Sequence, residues 1–166
     1  VNHPANLFSQ DFFEAYFEAA NAAIKDESVK GVIVTSGQRM FMAGGDLRLL
    51  AKPLADPEAL FKGMPGMHQQ SRGIETCGKP FVAALNGNTL GGGMELALTC
   101  HHRICVNDSG IKLGFPESKV GLLPGGGGTA KAPYLMGIQN GLMYLLQGIE
   151  ARPPKALKDG LIGELV

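Results

Sequence analysis

The chain has 166 residues with 15 basic and 15 acidic side chains, so its formal net charge is zero. That balance excludes a basic field for nucleic acid or an anionic membrane, and no apolar run approaches the roughly 20 residues of a membrane span. Three cysteines, Cys77, Cys100 and Cys105, form no disulfide framework; they fit a reducing compartment, expected to be the cytoplasm of a bacterial-type cell.

The length suits a single domain over residues 1–166, able to bury roughly two-thirds of its unfolded surface. The N-terminus does not read as a signal peptide. The first eight residues give no clear element. Ser9 caps a helix expected over 10–26, with Phe13, Phe17, Ala20 and Ile24 on one face. The β-branched run Gly31–Thr35 reads as a buried strand. After a loop comes Phe41-Met42-Ala43-Gly44-Gly45-Asp46-Leu47, where Asp46 can cap a short helix over 47–51. The stretch 56–75 reads as a long helix broken or kinked near Pro65-Gly66, with Phe61, Met64 and Met67 candidates to line a pocket.

Pro80–Leu85 is the next strand. Asn86-Gly87-Asn88 turns the chain into Gly91-Gly92-Gly93-Met94-Glu95, and a helical run over 96–101 leads out. Segments 103–107 and 111–115 read as strands around the turn Asp108-Ser109-Gly110. A second glycine run, Gly125–Gly128, precedes helices over 129–136 and 139–146. Pro153-Pro154 opens a last short helix, and 161–166 is strand-like. The rhythm is βα or ββα without a clean repeat, which indicates an α/β fold.

Glycine, at 24 residues, is about twice as frequent as the usual ~7%, and it is clustered. A glycine run lets backbone approach a bulky group closely. The first N–H groups of a helix lack intrahelical partners and can face an oxygen that becomes negative. Glu95 and Glu117 each adjoin such a corner, and two carboxyls in one pocket can act as base and acid. Singly, each reads first as a capping or surface residue. Cys100-His101-His102-Arg103-Ile104-Cys105 holds four possible zinc ligands, but adjacent residues diverge on a helix or strand. No metal site is expected there; the segment reads as a helix end with a histidine near its negative terminus, then a buried strand.

Three motifs in order are specific together. They are Phe41–Leu47, Asn86-Gly87 through Gly91-Gly92-Gly93-Met94-Glu95-Leu96-Ala97, and Gly114-Phe115-Pro116-Glu117 through Gly121-Leu122-Leu123-Pro124-Gly125-Gly126-Gly127-Gly128-Thr129. This set resembles the enoyl-CoA hydratase/isomerase (crotonase) family, most of all the hydratase domain of bifunctional fatty-acid oxidation proteins. The resemblance covers about Asn6 to Val166.

The resemblance implies a spiral of ββα turns and a trimeric core. It implies an oxyanion hole from the N–H groups of Gly45 and Gly92, and catalytic roles for Glu95 and Glu117. Together these would add water across the C2–C3 double bond of a 2-enoyl-CoA. Ala43, Asp46, Arg48, Gly91 and Pro116 are the implied substrate and CoA contacts, with Lys52 a further candidate for a CoA phosphate; a solvated helix face explains Arg48 and Lys52 equally well. Beyond the acyl-CoA substrate, the implied partners are copies of the chain or a downstream dehydrogenase domain. No cofactor is expected in this domain, and NAD enters only with such a dehydrogenase.

Three departures stand out. Gly45 replaces a frequent alanine, which leaves backbone donation intact. Ala130-Lys131-Ala132-Pro133-Tyr134 departs from a basic, leucine-containing pattern. The opening hairpin and the C-terminal helices of the family are expected to be absent, as in a domain truncated at both ends. Two rivals share these residues: Δ3-Δ2-enoyl-CoA isomerisation, which needs only one carboxylate, and non-catalytic acyl-CoA binding. RNA binding is disfavoured by the zero net charge.

Overall fold

A computed structural model describes residues 6–45 and 57–166. Strand β1 is Leu7–Phe8, helix α1 is Gln10–Lys25, and strands β2 and β3 are Val32–Val34 and Gly44–Gly45. Helix α2 is Pro57–Glu75, followed by β4 (Phe81–Leu85), β5 (Thr89–Leu90) and α3 (Gly92–Ala97). Then come β6 (His102–Cys105), β7 (Leu113–Gly114), a 3₁₀ helix over Pro116–Val120, α4 (Gly128–Met136) and α5 (Ile138–Gln147). The chain continues through β8 (Glu150–Ala151), α6 (Pro153–Lys158) and β9 (Glu164–Leu165).

Two layers alternate along the chain. Strands β2, β4, β6 and β9 form a parallel sheet in that order. Strands β5, β7 and β8 form a second sheet, while β1 pairs with β3. The bridge Met42↔Thr89 joins the run into β3 to the run into β5. From β2 to β7 the strands alternate between the first sheet and the other layer, with α2 and α3 returning the chain between successive pairs; β8 then joins the second sheet and, after α6, β9 joins the first. This is the expected spiral of ββα turns.

Helix α1 forms as the pattern dictates. Ser9 Oγ accepts from the Phe12 N–H at 3.2 Å, and Phe17 and Ala20 face the core. The Phe13 and Phe17 rings meet at a tilt, with centroids 4.6 Å apart. Lys79 Nζ donates to the Ala23 and Asp26 carbonyls at 2.9 and 2.6 Å, which caps α1 and ties it to the start of β4. Phe81, Leu85, Met94, Leu113, Phe115 and Tyr144 form the sealed centre, each at most 1% exposed.

Several elements depart from the sequence pattern. Leu7–Phe8 is a strand because Gly44–Gly45 offers it a parallel edge. Helix α2 runs unbroken through Pro65; the Phe61 and Met64 side chains and the short helix expected over 47–51 lie outside the described residues. Helix α3 begins inside the glycine run and ends at Ala97, so His101 is not a helix end. Its Nδ1 accepts from the Phe81 N–H at 3.0 Å. The segments around Asp108–Gly110 do not pair with each other: β6 pairs with β4 and β9, and β7 with β5 and β8. The turn there crosses between layers.

Candidate active site

Gly91 to Glu95 sits where β5 runs into α3. Gly91 adopts φ +54°, a conformation that favours glycine, and its N–H donates to the Gly114 carbonyl at 2.9 Å. The first intrahelical bond runs from the Glu95 N–H to the Gly91 carbonyl at 3.0 Å. The N–H groups of Gly92, Gly93 and Met94 thus lie before any intrahelical partner. A Cβ on Gly93 would fall 2.6 Å from Met42 Cβ, so α3 seats directly on the segment leading into β3.

That seating brings Gly45 and Gly92 together. A Cβ on Gly92 would stand 3.8 Å from Gly45 N, and one on Gly44 3.7 Å from Gly92 N. Phe8 closes one side, 3.9 Å from the same Gly92 position. Ala43 adjoins this corner, and its N–H donates to the Asn6 carbonyl at 3.4 Å.

Glu95 does not cap its own helix. Its side chain is 7% exposed, and Oε1 accepts from the Gly128 N–H at 2.8 Å. A Cβ on Gly126 would lie 2.8 Å from Glu95 Oε2. The second glycine run is therefore a cradle for the carboxylate of the first. Burial pushes the Glu95 carboxyl up to about 7; the Gly128 N–H opposes this, the Glu117 charge adds to it, and the Gly126 N–H and Lys131 oppose it.

Glu117 stands at the second position of the 3₁₀ helix, after Pro116 at its first position. A Cβ on Gly91 would sit 2.6 Å from Glu117 Oε1, so only glycine there admits this carboxylate. Its Oε2 is buried without a hydrogen-bond partner among the described residues. Burial raises the Glu117 carboxyl above its ordinary range, against its own backbone N–H. Two carboxyls with raised proton affinities thus share one region, beside the paired Gly45 and Gly92 backbones.

Gly45, Gly91, Gly92, Glu95, Pro116, Glu117 and Ala43 converge on this region. Asp46, Arg48 and Lys52 lie outside the described residues. A cleft of about 380 Å³ runs between α2 and the second glycine run. It is lined by His68, Ser71, Arg72, Glu75 and Lys131 among others, and not by Met67. The Cys100–Cys105 segment scatters its side chains: Cys100 and Cys105 are buried, His101 serves β4, and His102 faces Glu164 at 3.8 Å. Among the described residues no group of three metal-ligating side chains forms.

The residue pattern assigns no role to Gly126, Gly128, Lys131 or Glu75. One signal was present: four consecutive glycines carry N–H groups that, once buried, need an acceptor. Nothing in the spacing names Glu95, some thirty residues earlier, as that acceptor.

A family model described as Enoyl-CoA hydratase/isomerase matches residues 1–166. The chain is 43% identical over 164 residues to the fatty acid oxidation complex subunit alpha of Idiomarina loihiensis, covering 97% of this chain and 23% of that protein. The corresponding subunit of Shewanella frigidimarina is 41% identical over 162 residues, again covering 97% of this chain and 23% of that protein. The chain thus spans about a quarter of the length of these curated relatives. Among solved structures, the enoyl-CoA hydratase of Geobacillus kaustophilus superposes with a TM-score of 0.92 at 30% identity, covering 99% of this chain and 62% of that one. The enoyl-CoA hydratase of Thermoplasma volcanium gives 0.91 at 28% identity, covering 98% and 64%.

Proposed function

The chain belongs to the enoyl-CoA hydratase/isomerase family, and from that premise we propose that it adds water across the C2–C3 double bond of a 2-enoyl-CoA, in fatty-acid oxidation. One observation carries the reading. Glu95 and Glu117 are two buried carboxyls with raised proton affinities, each packed against the other's glycine corner.

The N–H groups of Gly45 and Gly92 receive the thioester oxygen. Water attack at C3 pushes an electron pair through C2 onto that oxygen, and each fixed donor there stabilises the transition state by about 3 kcal/mol. As the water oxygen bonds to C3, one glutamate takes the water's proton. The other gives its proton to C2 as the enolate collapses, and the product is a 3-hydroxyacyl-CoA. The raised proton affinities support this division, because near neutral pH the pair can hold one proton between them. Ala43, Gly91 and Pro116 border the reacting carbons in this reading, and Asp46 and Arg48 are assigned to CoA contact by the family resemblance alone. The site needs no metal or further cofactor for this step.

The relatives named as alpha subunits of fatty acid oxidation complexes support a place in such an assembly, with an NAD-dependent dehydrogenase domain or further copies of the chain as partners. Among the described residues, no helix is long and apolar enough to cross a membrane. A cytoplasmic setting belongs to the same proposal and is supported by three cysteines that are all free.

The test is spectrophotometric. Full-length protein with crotonyl-CoA should lose the enoyl absorbance and yield 3-hydroxybutyryl-CoA. Turnover of a 3-enoyl-CoA without hydration would establish isomerisation instead, and binding of acetoacetyl-CoA without either reaction would establish a binding module.

A further inference from the structure

Lys131 and Glu75 form an ion pair on the wall of the cleft, outside the roles assigned above. Lys131 lies four residues after Gly127 and folds back over the glycine run: a Cβ on Gly127 would stand 3.4 Å from Lys131 Cε and 3.6 Å from its Nζ. The Nζ is buried and meets Glu75 Oε1; the two side chains are only 23% and 21% exposed.

Glu75 is itself held from several sides. Its Oε2 accepts from Arg72 Nη1 at 3.0 Å, and its carbonyl lies 3.2 Å from His101 Nε2. Because His101 Nδ1 accepts from the Phe81 N–H, Nε2 carries the ring proton and donates to that carbonyl. The last residue of α2 is thus pinned to the first residue of β4. Burial would raise the Glu75 carboxyl, but Lys131 and Arg72 hold it below its ordinary range.

Among the described residues, few charged groups face Glu95. Glu117 approaches from the 3₁₀ helix and Lys131 from α4. Behind Lys131 stand Glu75 and Arg72 of α2, and the Cys100 thiol, which burial keeps neutral.

We infer that Lys131 and Glu75 are positioning residues for Glu95: Lys131 folds its cation over the Gly126–Gly128 cradle that holds the carboxylate, Glu75 of α2 offsets part of that positive charge, and the pair sets the charge that Glu95 senses. The inference rests on the hydratase reading for its catalytic meaning. Its signature is a pair of opposite signs. Loss of the cation should make Glu95 hold its proton more tightly, whereas loss of the Glu75 anion leaves the cation uncompensated and should loosen it.

The experiment follows Glu95 in full-length protein by ¹³C-carboxyl NMR, assigned by loss of the resonance in Glu95→Gln, beside the pH profile of kcat/KM on crotonyl-CoA. Lys131→Met should move the Glu95 titration up by roughly half a pH unit or more. Glu75→Gln should move it down, and Lys131→Arg should restore the native value. The limb of the pH profile that reports Glu95 should move with the resonance. Shifts in the same direction, no shift in either variant, or no restoration by arginine would overturn the inference. Should Lys131→Met fail to fold by circular dichroism, the direction in Glu75→Gln decides alone: down supports the pair, up or unchanged overturns it. Opposite NMR shifts in a protein that hydrates nothing would retain the pair and sink the hydratase reading.

Discussion

The two glycine runs look alike in sequence and are used in opposite ways. Gly91–Gly93 begins a helix, so its N–H groups lie before any intrahelical partner. In Gly125–Gly128 the Gly128 N–H is already given to Glu95 of the other run. The exchange is crossed, since Glu117, just upstream of the second run, presses against Gly91 of the first. A glycine run therefore announces backbone N–H groups without saying whether they serve a ligand or the protein's own carboxylate.

The largest expected effect breaks the first half of that contrast. Gly92→Pro keeps a residue suited to the first position of a helix but removes the N–H. It should lower kcat by roughly 10³-fold, whereas Gly92→Ala should cost little. An alanine Cβ there meets nothing nearer than 3.8 Å. Equal losses in the two variants, measured by crotonyl-CoA hydration, would mean that Gly92 only turns the chain.

Next come the crossed carboxylates. Glu95→Gln and Glu117→Gln should each reduce kcat by roughly 10²-fold or more with little change in acyl-CoA affinity. The double variant should lose far less than the product of the two losses. Normal hydration by Glu117→Gln alone would leave a single functional glutamate, and isomerisation would become the activity to assay.

A smaller effect sharpens the second half. Gly126→Ala makes the substitution that Gly92 tolerates, but here the new Cβ would lie 2.8 Å from Glu95 Oε2. Displacing that carboxylate should reduce kcat about 10-fold while KM holds. If Gly126→Ala and Gly92→Ala behave alike in steady-state kinetics, the two runs do not differ as described.

The smallest effect is thermal. The folded Glu95 carboxyl is raised to about 7 from 4.5. Its contribution to stability is therefore fully present below about 4.5 and lost as pH rises through 7, by about 3 kcal/mol in all. Glu95→Gln cannot ionise. Its Tm relative to wild type should be several degrees more favourable at pH 8 than at pH 5. A Tm difference independent of pH would show that Glu95 is not buried as an ionisable acid.

Much of this was legible in the residues because it rests on local physics. The aromatic face of α1 with its Ser9 cap, the strand Phe81–Leu85 between turn signals, and the glycine stop at Gly137 follow from periodicity, capping and backbone freedom. The three ordered motifs also placed Gly45, Gly92, Glu95 and Glu117 in one site, as an expectation from family resemblance. What the chain alone did not decide were relations across long separations. The strand at Leu7–Phe8 exists only because β3 lies beside it, and Leu113–Gly114 leaves its sequence neighbour β6 for another sheet. Local pattern ranks a β-branched run as a strand but does not choose its partner, since pairing energy depends on which edge is within reach. The same reason hid the cradle: the Gly128 N–H finds its acceptor on a residue 33 positions away, and only the stacking of successive ββα turns brings the two together.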